Sequence, residues 1–274
     1  MSWAARRTGL PAVTLALIFL VDFSYPRLLF SADQEGTIVQ KAEDRFPTGA
    51  PDETVSRIEK EFEQQYNRCP PYEDTILSSF TYGLTPARPQ TEPGSGQRFS
   101  VVKCYKPPEE RGLGVVAIIM EDFGPREHSR KGYYLSYFLA GQKMYEQSFE
   151  ASYGARYGFR EVPSDPKNGP LLLVYRNEGA NAREITYDLY RIQRESLKLL
   201  WRWKDEVSHS TSRPFSVSNV DLSEVAAANR SQIVVYTTSG SSEERPSHKK
   251  STFMWDEGAD TFVLQDHSEN NNGG

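Results

Sequence analysis

The sequence predicts a mainly β protein made of repeated antiparallel meanders, and three observations carry that reading. The first is a pattern that recurs three times. Its middle copy runs from apolar Leu171–Tyr175 through polar Arg176–Gly179 to Tyr187–Ile192, a break at Gln193–Ser196, and Leu197–Trp203. That is strand, long loop, strand, short turn, strand. The second is the aromatic content: 15 Tyr and 14 Phe favour half-buried strands and exceed what a disordered chain carries. The third is punctuation by Gly, Pro, Asn and Asp between the apolar runs.

The same order reappears downstream as Ile233–Tyr236, Thr252–Trp255, the turn Asp256–Asp260 and Thr261–Leu264. Upstream it reads Val115–Ile119, Tyr133–Phe138, Ala140–Gln142 and Met144–Phe149. A further strand stands ahead of each copy, at Phe99–Tyr105, Ala155–Val162 and Phe215–Leu222. Four-strand units are therefore expected at 99–149, 155–203 and 214–265, inside a β-repeat domain over 99–265. The apolar runs start 56 and 62 residues apart, a spacing suited to propeller blades or stacked sheets. Three units are fewer than an ordinary propeller needs. Either an extra strand at Thr75–Tyr82 begins an incomplete fourth blade, or the units form a sandwich or open curved sheet.

The remainder of the chain divides by composition. Arg6 and Arg7 precede an apolar stretch from Leu10 to Phe23, so 1–32 reads as a secretory signal peptide or an uncleaved membrane anchor. No Cys follows it to take a bacterial lipid anchor, and Thr8-Gly9-Leu10 fits a twin-arginine signal only loosely. Residues 33–50 read as a linker. In 51–98 a helix starts at Pro51-Asp52 and carries Val55, Ile58, Phe62 and Tyr66 on one face, ending before Cys69-Pro70-Pro71. The Pro- and Gly-rich stretch Thr85–Gln97 reads as a loop, and 266–274 as a disordered tail. Asn229-Arg230-Ser231 is a glycosylation sequon in a eukaryotic setting.

Charge and cysteine usage bound the chemistry. A net charge of -5 without a basic face argues against nucleic-acid binding. The only cysteines, Cys69 and Cys104, permit one disulfide closing a loop of about 35 residues, worth ~3–4 kcal/mol; two separate buried thiols are the alternative. Two cysteines and four scattered histidines make no zinc spacing, and no nucleophile elbow or phosphate loop is present.

One stretch resembles a known family. Phe215–Ser223, followed after an insertion by Gln232–Tyr236, resembles an FG-GAP/VCBS-type repeat, in which a strand enters an acidic calcium loop and leaves through an Ile-Val-Val strand. The resemblance implies that Asn219, Asp221 and Ser223 match the first alternating oxygen ligands. Glu224 stands where a turn glycine is usual, and the later acidic positions are missing, so the loop reads as degenerate and no metal is expected.

Two function classes follow. The first is an exported, non-catalytic β-repeat protein, a binding or structural module of the cell envelope or extracellular space. Its partner would be a protein or glycan, it needs no cofactor, and it would meet a membrane only through the N-terminal segment. Aromatics crowd 133–159, and Tyr134 with Phe138 fall on the opposite pleat from Tyr133, Leu135 and Tyr137, which makes them the candidate binding residues. Leu199, Trp201 and Trp203 alternate along one strand face and read as core. The second class is a hydrolase of an envelope polymer, using strand-end carboxylates among Glu121, Asp122, Asp188 and Asp205. The arrangement of those four acids discriminates the two.

Overall fold

A computed structural model describes residues 45–48, 50–65, 72–82, 98–108, 111–122, 131–149, 155–164, 169–179, 182–208, 214–225, 231–241 and 246–270. Three four-stranded antiparallel sheets follow one another along the chain. The first holds β1 (Arg98–Tyr105), β2 (Val115–Asp122), β3 (Lys131–Leu139) and β4 (Gln142–Phe149). The second holds β5 (Arg156–Val162), β6 (Leu171–Glu178), β7 (Ala182–Ile192) and β8 (Leu197–Ser208). The third holds β9 (Phe215–Asp221), β10 (Gln232–Gly240), β11 (Ser247–Asp256) and β12 (Thr261–Asn270). In every sheet the spatial order equals the sequence order, so each is a plain meander.

The sheets stack, and the second lies between the other two. Its Leu173, Tyr175, Ile185 and Leu189 join Val217, Ile233, Val235 and Phe262 of the third sheet in one core. Its Phe159, Leu172, Val174 and Tyr190 join Val116, Ile118, Leu135 and Tyr137 of the first sheet in another. Alternate residues of β6 and β7 thus serve opposite cores, which is the period-2 geometry of a strand buried on both faces. The outer face of the first sheet builds a third core from Val115, Ala117, Ile119, Tyr134 and Phe138.

Among the described residues, two helices flank the stack. Helix α1 (Pro51–Gln65) begins with acidic Asp52 and Glu53 in its first turn, where the helix dipole favours negative charge. It buries Val55 and Phe62, three residues before and four residues after Ile58, against the core between the second and third sheets. Phe62 stacks on Tyr175 at 4.8 Å between ring centroids. Gly158 makes this approach possible, since a Cβ there would lie 2.4 Å from Phe62 Cβ.

Helix α2 (Glu73–Tyr82) corrects the expected strand over 75–82. The β-branched and aromatic residues of this stretch favour a strand, but Glu73 and Asp74 suit a helix N-terminus, and Ile76 N–H donates to Tyr72 O at 2.8 Å to open the first turn. Ile76 packs into the outer core of the first sheet. No incomplete fourth blade is made by this segment.

Other expectations are adjusted. Strand β12 pairs with β11 out to Asn270, so residues 266–270, expected as part of a disordered tail, are strand. Strand β6 continues through Arg176 and Asn177, expected as the start of a loop, because both polar groups are paired while buried. Arg176 meets Asp188 and Glu178, and Asn177 Nδ2 donates to Glu59 of α1 at 2.7 Å. Residues 45–48, expected as linker, lie against the third sheet. The signal or anchor segment 1–32, Cys69, the loop 85–97, and Asn229 with Arg230 of the sequon fall outside the described residues.

The expected alternation of Leu199, Trp201 and Trp203 is broken by a β-bulge: Leu189 pairs with Trp201 and Tyr190 with Leu199, which leaves Leu200 extra. Leu200 and Trp201 therefore both enter the core, while Leu199 is 38% exposed. Trp201 meets Phe253 of the third sheet edge-on at 5.5 Å. Trp201→Ala is expected to cost ~3–5 kcal/mol of stability, and Leu199→Ala well under ~1 kcal/mol. Chemical denaturation of the two variants checks the bulge, and equal losses would place both side chains in the same environment.

Candidate functional site

Strands β5 and β9 are the leading edges of the second and third sheets. A cleft of about 520 Å³ lies where they end, lined by Arg160–Pro163 at and just past the end of β5, Asn219–Ser223 at and just past the end of β9, Tyr236 of β10 and Arg45. The register puts Asn219 opposite Tyr236 and Asp221 opposite Val234.

Arg45 is held on one side. Its Nη1 donates to Tyr236 Oη at 3.0 Å and lies 3.4 Å from Asp221 Oδ2. Asn219 Nδ2 donates to the Arg45 carbonyl at 3.1 Å, and Thr238 Oγ1 donates to the Pro47 carbonyl at 2.9 Å. Phe46 packs edge-on to Tyr236 at 5.3 Å. Residues 45–47 are thereby strapped across the outer face of the third sheet. The bond to Tyr236 holds the Arg45 guanidinium above its ordinary pKa.

Arg160 lines the other side under different conditions. It shares a pleat with Gly158, and its guanidinium lies over the Phe62 ring at 5.5 Å, a cation–π contact. Burial pushes its pKa below the ordinary value, and the fields of Glu61, Tyr187 and Asp221 offset this only in part. No carboxylate among the described residues comes within ion-pair distance of it. The cleft thus sets one paired and one unpaired guanidinium beside Asp221 and exposed Glu161, and can accept a carboxylate together with hydroxyl groups.

The residues singled out from the sequence are dispersed. Asn219, Asp221 and Ser223 do meet at this cleft, but Asp221 is engaged by Arg45 and by the Ser223 N–H at 3.0 Å. The guanidinium stands where the resemblance would put a cation. No group of three His, Cys, Asp or Glu with metal-holding geometry occurs among the described residues. Tyr134 and Phe138 fall on the pleat opposite Tyr133 and Tyr137, but that face is covered rather than open: they are 5% and 4% exposed. Cys104 is buried in β1 on the same side.

The four acids do not converge. Glu121 accepts a hydrogen bond from Tyr134 on the outer side of the first sheet. Asp122 pairs across β2 and β3 with Lys131 in register, on the opposite pleat. Asp188 faces the first sheet, where Arg176 Nη2 at 3.2 Å and Arg202 Nη2 at 3.0 Å donate to it. Asp205 faces the third sheet, receiving Trp203 Nε1 at 2.9 Å and Ser218 Oγ at 2.8 Å. Arg160, Arg45 and Tyr236 are the functional candidates that the sequence reading passed over. The available signal was Gly158 inside a strand, which marks close approach of another element.

Asp205 also gives a pH dependence. Burial outweighs its hydrogen bonds and pushes its carboxyl up to about 6. A carboxyl whose pKa is raised on folding binds its proton more tightly in the native state. Its contribution is therefore present at low pH and is lost as pH rises from the unfolded value of ~4 through about 6, by roughly 3 kcal/mol in all. Asp205→Asn keeps an acceptor for Trp203 and Ser218 without the charge. It should gain stability relative to the parent between pH 4.5 and pH 7, as read by denaturation midpoints. A difference that stays flat over that range would mean the carboxyl titrates normally.

Comparisons with protein families, with curated proteins and with solved structures find no match to this chain.

Proposed function

We propose that this chain is an exported, non-catalytic binding module of the cell envelope or extracellular space, and that its cleft between β5 and β9 takes a glycan bearing carboxylates. The observation that carries the proposal is the Arg160 guanidinium, half-buried on Phe62 without a carboxylate partner among the described residues. Removing a charge from water without pairing it costs stability, and a planar guanidinium pairs best with a carboxylate. Glu161 and Asp221 decide the ligand class. They repel a run of acidic side chains but accept hydrogen bonds from sugar hydroxyls, so a saccharide with spaced carboxylates meets both signs of charge.

Titration calorimetry with an oligogalacturonate, its neutral oligosaccharide counterpart and oligoglutamate tests this. The uronate alone should bind, and Arg160→Gln should weaken it by ~10- to 100-fold, the worth of a charged hydrogen bond. Arg160→Lys, which keeps charge without the fork, should recover part of the loss. Binding of the neutral sugar or the acidic peptide in preference, or no binding, defeats the reading.

Export fits the basic-then-apolar N-terminus, and with it we propose a Cys69–Cys104 disulfide tying the segment after α1 to β1. The intact mass of protein recovered from outside the cytoplasm should be two hydrogens below the reduced chain and should lack the leading residues. Two titratable thiols in that material would end the proposal.

A further inference from the structure

A second concavity lies far along the stack from the cleft's strands, between α2 and the outer face of the first sheet. It encloses about 420 Å³, within the ~300–1,000 Å³ of small-molecule sites. Its walls are apolar: Ile76 from α2, Leu113 and Val115 at the start of β2, and Phe138 and Leu139 at the end of β3.

The walls are fixed by the backbone. Gly114 passes so close to β3 that a Cβ would fall 1.7 Å from the Phe138 carbonyl oxygen, and its N–H donates to Tyr137 Oη at 2.9 Å. The two-residue turn Ala140-Gly141, with φ of 49° and 78°, closes the end of the β3–β4 hairpin beside it. These contacts hold Leu113 and Phe138 without help from a ligand.

One cation stands at the cavity. Lys106 Nζ donates to the Leu113 carbonyl at 2.7 Å and lies 5.8 Å from the Tyr72 ring centre, and no carboxylate among the described residues is within ion-pair distance of it. An ammonium has three donors, and among the described residues one is committed, to the Leu113 carbonyl, which leaves two for a ligand. The nearby start of α2 adds a positive backbone end, while its own acids Glu73 and Asp74 are exposed.

An apolar cavity with a single ammonium matches one ligand chemistry: an alkyl chain ending in one negative charge. We propose that this cavity binds a long-chain carboxylate, with the chain among Ile76, Leu113, Val115, Phe138 and Leu139 and the head on Lys106. A neutral apolar guest would leave the ammonium without its ion pair, and a strand or helix of a protein partner is too thick for the space. The site is independent of the glycan cleft.

Displacement of a fluorescent fatty-acid probe by dodecanoate and by dodecanol, using the full chain, tests the proposal. Dodecanoate should compete at least ~10-fold better than dodecanol, the worth of one charged hydrogen bond. Lys106→Met should erase that preference and Lys106→Arg should keep it. Leu113→Trp, at a half-buried wall position, should block both compounds with the denaturation midpoint held. Arg160→Gln should leave dodecanoate binding unchanged, which separates this site from the cleft. Equal competition by the two compounds, no displacement of the probe, or dodecanoate binding retained in both Lys106→Met and Leu113→Trp overturns it.

Discussion

Burial of the second sheet on both faces is the constraint on which the rest of the structure depends. A sheet covered on one side can send a whole face of polar residues to water; the middle strands of this one, β6 and β7, cannot. The polar side chains that this sheet does bury need partners inside a core, because an unpaired buried polar group costs roughly 1–3 kcal/mol and a buried charge more. The two interfaces meet the demand differently. Toward the first sheet, Asp188 sits between Arg176 and Arg202, with Arg176 also lying over the Phe149 ring at 4.3 Å. Toward the third, Asp205 is held by Trp203, Ser216 and Ser218, and Ser218 in turn meets Thr237 at 2.8 Å. One interface uses ion pairs and the other neutral donors. That difference is why burial raises the pKa of Asp205, which has no cation to offset it.

The same constraint explains what could be read from the sequence. Continuous apolar runs such as Leu171–Val174 and Ile233–Val235 have no helical period and are too short for helices, so the three-fold strand pattern was visible directly. The last strands of the second and third sheets run beyond the expected ends at 203 and 265, to Ser208 and Asn270. What was hidden depends on contacts between distant residues. Arg176 and Asn177 read as a loop because a strand covered on both faces normally excludes them; Asp188 and Glu178 around Arg176, and Glu59 at Asn177, offset the cost of burying them. The bulge at Leu200 was invisible because one extra residue leaves the local composition unchanged while moving Leu199 out and Leu200 in. Helix α2 was lost to strand propensity over a stretch too short to show a helical period. The candidate site was less legible still. Arg160 sits in a strand with alternating polar residues, where a charge ordinarily marks the solvent pleat; here that pleat faces Phe62.

Stacked repeats have a problem at their ends, since a terminal sheet buries one face on its neighbour and exposes the other. Here the ends are closed by segments outside the repeat. Helix α2 covers part of the first sheet through Ile76, and residues 45–47 strap the third through Arg45, Phe46 and Pro47. A cap cut from different material cannot match a sheet face as well as a second sheet does, so gaps open beside it. The cavity at Lys106 lies beside α2, and the cleft at Arg160 lies beside the strap and α1. Both concavities are therefore products of where the repeat stops.

That origin leaves open whether the gaps are merely packing defects, and the cations argue otherwise. A defect is relieved most cheaply by apolar side chains or by polar ones that pair with each other. Arg160 and Lys106 do neither. Each stands at a concave surface, is stacked near an aromatic ring, and lacks a carboxylate among the described residues. Cation–π contacts of ~0.5–2 kcal/mol soften the loss of hydration without replacing an ion pair. Elsewhere the chain supplies acids generously, with Asp188 taking two arginines and Asp260 taking both Arg191 and Lys198. Among the described residues, cations that hold sheets together are paired, while Arg160 and Lys106 stand beside aromatic rings at hollow surfaces with no carboxylate in ion-pair reach, local polar choices that folding does not account for. Residues of that kind are where a ligand should be sought.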